Sequence, residues 1–126
     1  MDKKTILKGF NNHFLEFGDD LITIFPNDYD LKTAYTFIEG LKKINPKIII
    51  DVWYSWILKH YKVEIEEGDF TFFENKDYSY DIGENSKLLK AVENFKNKCV
   101  KLDQKNKEKS MKYVQNLSKL CDIYYR

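Results

Sequence analysis

Seven lysines crowd into seventeen residues near the C-terminus: Lys96, Lys98, Lys101, Lys105, Lys107, Lys109 and Lys112. Each ammonium can neutralise a phosphate or a carboxylate, so the cluster points to an anionic partner held with salt-dependent affinity. On one continuous helix, Lys101, Lys105, Lys109 and Lys112 share a face at spacings of four and three. Like charges so placed repel until a partner relieves them. The chain has a single arginine, Arg126 at the last position. Base edges are read best by the arginine fork, so any DNA or RNA contact here is expected to be non-specific. The simpler alternative is a solvated face, or a basic helix packed on the acidic body of its own chain.

A second candidate surface is aromatic. Between Asp69 and Asp81, Phe70, Phe72, Tyr78 and Tyr80 interleave with acids. Rings among carboxylates suit recognition of a protein better than of a phosphate backbone. Alternatively, Phe70 and Phe73 plug the end of a helical bundle, as large rings usually pack inside.

Other chemistry finds little support. Zinc needs about four close Cys or His ligands, and the chain has only His13, His60, Cys99 and Cys121, with no paired motif. His13 with Glu16, and His60 with Glu64, are helix neighbours of the kind that usually form a surface hydrogen bond. Glu16, Asp19, Asp20, Asp28 and Asp30 cluster without the spacing of a calcium loop. The five glycines stand singly, so no phosphate-cradling loop is present. Two histidines leave little choice for a nucleophilic triad. No catalytic residue, metal or cofactor is therefore expected.

The elements that must position these residues are helical. Gly and Pro number five and two, too few for a turn-rich β fold. Leu7, Phe10, Phe14, Phe17, Leu21 and Ile24 form a stripe that predicts a first helix over about Thr5–Phe25, stopped by Pro26. Asp30 is the expected cap of a second helix from Leu31 to Ile44. Asn45-Pro46 opens a third, over about 46–63, with Ile49, Trp53, Trp56, Ile57 and Tyr61 inward. Gly68 is a candidate left-handed terminus. From Ser86 onward, one long helix is expected through the polar stretch Asp103–Ser110; two helices joined by a polar turn are the alternative. The fold class is an all-α small helical bundle with a long basic C-terminal helix, or a helical hairpin in its place.

Length and charge fit that reading. The chain has 126 residues, room for one core. Its net charge of +1 hides a split. Residues 1–85 hold ten lysines against sixteen acids, a net of −6, and residues 86–126 hold eleven basic residues against four acids, a net of +7. The expected organisation is an acidic body, 1–85, including the aromatic segment 69–82, and a basic arm, 86–126, within one domain. Such a split suits a partner, or self-association. No apolar run reaches membrane-spanning length and no secretory leader is evident. Two isolated cysteines suggest reduced thiols inside a cell.

One motif series goes further. Phe25-Pro26-Asn27-Asp28-Tyr29-Asp30-Leu31-Lys32-Thr33-Ala34 is followed by Asn45-Pro46-Lys47, Trp53, Tyr61, Gly68-Asp69, Phe72-Phe73 and Lys76-Asp77-Tyr78. The series, over about residues 10–85, resembles an uncharacterised family of small proteins from giant viruses, the nucleocytoplasmic large DNA viruses. The resemblance carries over no catalytic residue. It implies a viral protein working in the host cell cytoplasm, a viral factory or the virion. The expected function is a non-enzymatic protein-protein interaction or scaffold role, with non-specific nucleic-acid binding through the C-terminal lysines as the alternative.

Overall fold

The computed structural model describes residues 2–69, 71 and 86–126. Those residues form an all-α bundle of five packed rods, with no strand among them. Helix α1 covers Lys3–Ile24 and α2 covers Tyr29–Ile44. The third rod is composite: α3 (Ile48–Trp53), a π-helical turn (Tyr54–Leu58) and α4 (Lys59–Glu66). Helix α5 covers Ser86–Val100 and α6 covers Gln104–Tyr124. The closest pairings are α1 with α6 and α2 with α5, and the composite rod packs across α6.

Short polar residues set the helix starts. Asp2 accepts the Thr5 amide hydrogen at 2.8 Å and starts α1 two residues earlier than its apolar stripe suggests. The cap of α2 is Asp28, not the expected Asp30: its extended backbone lets the carboxylate accept the Leu31 amide at 2.9 Å. Asp30 instead lies in the first turn, where the helix dipole favours a negative charge. The third rod is the exception: Asn45 ends α2 and accepts the Lys47 amide at 3.1 Å within the turn, and the rod begins at Ile48 rather than Pro46, after Lys47 and with no side-chain cap.

That rod departs from the expected regular helix. Bonding from i to i+5 across Tyr54–Leu58 brings Trp53 and Leu58 to one side, and both are buried together with Ile57. Tyr61 then leaves helical angles, at φ −128° and ψ 21°. Gly68 ends the rod at φ 74°, the left-handed conformation expected of it. Its amide donates to the Ile65 carbonyl at 3.0 Å, and the Asp69 amide reaches back to Glu64 at 2.8 Å. This paired closure satisfies carbonyls the helix end would orphan.

The C-terminal arm is two helices, against the expectation of one. The chain turns at Lys101-Leu102-Asp103. Leu102 is 6% exposed, and Asp103 accepts the Asn106 amide at 2.8 Å to start α6. Burial of one leucine and a strong cap outweigh the small propensity gain of winding straight through.

The core centres on Phe10 and Leu21 of α1, Leu31 of α2, Ile50 and Ile65 of the composite rod, and Val114, Leu117 and Cys121 of α6. Two polar ties fix its register. Trp53 donates its indole N–H to Ser118 Oγ at 3.0 Å. Asn11 donates from Nδ2 to the Pro46 carbonyl at 2.8 Å. Gly18 lets α1 and α2 approach closely, since a Cβ there would stand 2.6 Å from the Tyr35 ring.

Candidate interaction face on the C-terminal helix

Helix α6 buries Ser110, Met111, Val114, Leu117, Ser118, Cys121 and Tyr124. At about 100° per residue, the opposite side is centred on Lys105, Lys112 and Asn116, with Lys109 and Lys119 within about 40° of that line. All five are exposed. Lys105 to Lys119 is about 21 Å along the axis. The result is a lysine row running most of the helix. Burial of the other face positions it.

The expected lysines divide between two roles. Lys98, on α5, is largely buried: its ammonium pairs with Asp28 and lies 5.7 Å from the Phe25 ring centre. That bond, with the Leu31 amide, holds the Asp28 carboxyl below the usual range. Lys109 lies 3.0 Å from Asp20 of α1, an ion pair lacking hydrogen-bond alignment. Two basic residues of the arm thus turn back on the acidic body. Lys105 and Lys112 make no ion pair among the described residues. Lys101 sits in the turn before α6, so it does not share a helical face with Lys105, Lys109 and Lys112 as expected. Lys107 points toward the inward side of α6 and is half-buried. The side chain of Lys96 lies outside the described residues, as do Phe70, Phe72, Tyr78 and Tyr80 and the plug expected of Phe70 and Phe73.

Lys119 completes the row and was not singled out in the sequence. The signal was there: Lys105, Lys112 and Lys119 repeat every seven residues. Lys119 also borders a groove of about 310 Å³ between α6 and the composite rod. Leu58 and Ile65 line it, with Lys62, Glu66 and Asp122 around it. Lys62 pairs with Asp122 at 3.6 Å, and Asp122 also receives Arg126 at 2.8 Å. Gln115 donates to the Ile65 carbonyl at 3.0 Å and pins the end of α4 to α6.

Acids border the row on both sides. Asp20 and Glu16 stand along the α1 side, beside Tyr113, whose hydroxyl burial and Asp20 push up to about 12. Glu108, Glu66 and Asp122 stand along the other.

His13 Nδ1 lies 3.6 Å from Glu16, with its ring 4.8 Å from Tyr113. His60 and Glu64 make no bond to each other, and His60 is exposed. The acid cluster separates: Asp28 caps α2 and pairs with Lys98, Asp20 pairs with Lys109, Glu16 lies beside His13, and Asp30 stands in the first turn of α2. Among the described residues, no three His, Cys, Asp or Glu converge as metal ligands. Cys99 and Cys121 are free and buried, with burial pushing both thiols up to about 12. No described helix is long and apolar enough to cross a membrane.

No protein-family model, curated protein or solved structure matches the chain.

Proposed function

We propose that the protein is a non-enzymatic interaction protein that holds an acidic helix of another protein along the outer face of α6. The observation that carries this is the lysine row Lys105, Lys109, Lys112 and Lys119, all within about 40° of one line along the helix and flanked by acids. A duplex about 20 Å across would lay its phosphates over Glu16, Asp20, Glu108 and Asp122 as well as over the lysines, losing much of the electrostatic gain. A single helix bearing a narrow acidic stripe would meet the lysines alone. A net charge of +1 gives little long-range pull on a polyanion. A second copy of this chain is the poorer partner, because no described helix carries two acids seven residues apart to match Lys105 and Lys112. The viral setting rests on the motif series between Phe25 and Tyr78, and would place the partner in an infected cell or a virion.

Fluorescence anisotropy with two labelled probes tests this reading. One is a helical peptide with glutamates every seven residues, the other a short DNA duplex. The peptide is expected to bind in a salt-dependent manner and to outcompete the duplex at physiological salt. Tighter binding of the duplex would transfer the function to nucleic acid.

A further inference from the structure

The groove beside Lys119 says more about that partner. Its floor is Leu58 and Ile65, 7% and 2% exposed, and its walls are the side chains of Lys62, Glu66, Gln115, Ser118, Lys119 and Asp122. Leu58 closes the π-helical turn, and Tyr61, between the two, is off helical angles. Such π turns recur at functional sites. Here the turn draws Trp53, Ile57 and Leu58 inward together. At about 310 Å³ the groove exceeds one aliphatic side chain and has room for two. Anchors one helical turn apart are how a helix commonly fills such a groove.

The charges around it are asymmetric. Lys119, on the α6 side, continues the lysine row. Lys62 is occupied by Asp122. Glu66, at the α4 side, is exposed and has no ion-pair partner among the described residues. We infer that the groove receives two apolar side chains, one turn apart, from the same acidic helix that lies along the lysine row, with its acids toward Lys112 and Lys119 and a basic residue toward Glu66. The inference rests on the proposed function. It adds to it the partner's anchor residues and the orientation in which the partner lies.

The test uses the full-length protein and three designed helical peptides. All have two glutamates seven residues apart. The first carries two leucines one turn apart and a lysine on the far edge. The second replaces both leucines by alanine. The third keeps the leucines and replaces the edge lysine by glutamate. The first is expected to bind at least about tenfold tighter than the second, since buried apolar area supplies the difference. It should also shift the methyl NMR signals of Leu58 and Ile65, which the alanine peptide leaves unmoved. The third should bind more weakly than the first, and Glu66→Gln should remove that difference. Equal binding of the leucine and alanine peptides, with silent methyls, would overturn the groove while leaving the lysine face standing. Failure of all three to bind would overturn the face, and the groove with it.

Discussion

Lys109 of α6 faces Asp20 of α1 at 3.0 Å, joining the basic arm to the acidic body within a single chain. With Lys98 and Asp28, it spends part of the charge split internally. Both pairs are formed by elements that already pack for apolar reasons, α1 on α6 and α2 on α5. The exposed half of the Lys109 pair adds little to stability, about 0–1 kcal/mol for pairs of this kind. The buried apolar face of α6 sets its orientation and leaves Lys105, Lys112 and Lys119 facing outward.

The contact between α1 and α2 depends on the absence of a side chain at Gly18. Alanine is the better helix former by up to about 1 kcal/mol. Yet its methyl would meet the Tyr35 ring at 2.6 Å and 2.8 Å. Overpacking of this kind costs about 1–3 kcal/mol. Gly18→Ala is therefore expected to lower stability in urea denaturation, whereas Gly9→Ala, with no atom within 4 Å, should raise it.

The break in the arm depends on Asp103. Asp103→Ala removes the acceptor for the Asn106 amide. Loss of such a cap costs about 0.5–2 kcal/mol. Chemical denaturation should show that loss, and Asp103→Asn should recover most of it.

These two positions also show how far the sequence could be read. The stripes Phe10–Phe17–Leu21 and Leu31–Ala34–Ile38 gave the helices and their buried faces, because one apolar face per helix leaves a period that survives in sequence. Asp103 was visible only as part of a polar stretch. Whether such a residue caps a helix or lies on its surface is decided by its neighbour Leu102, and by whether the core has room for that leucine. The π turn left no local signature, since it answers the demand that Trp53, Ile57 and Leu58 all be buried. The lysine cluster was plain. Its division into internal pairs and an outward row depended on the acids of α1 and the start of α2, far off in sequence.

Alkaline pH should destabilise the protein in a defined window. Burial raises the Cys99 and Cys121 thiols from 9.0 to about 12, and the Tyr35 and Tyr113 hydroxyls from 10.0 to about 12. The folded state therefore holds these protons more tightly than the unfolded state. Their contribution is fully present below pH 9 and is lost as pH climbs toward 12. The urea midpoint should be flat just below pH 9 and fall beyond it. At pH 8 neither thiol should react with a thiol reagent until denaturant is added.

The central claim is that the lysine row of α6 is a binding face and not merely a solvated one. The most direct measurement is the affinity of a labelled helical peptide with glutamates every seven residues for the wild-type protein and for the Lys105→Glu/Lys112→Glu variant. Thermal stability is followed alongside. Attraction gained to Lys109 and attraction lost to Glu108 offset each other, so the variant should stay close to wild-type stability. Its affinity should fall by at least about tenfold, and a peptide with lysines in place of the glutamates should restore it. Equal affinity of the two proteins for the glutamate peptide would contradict the account.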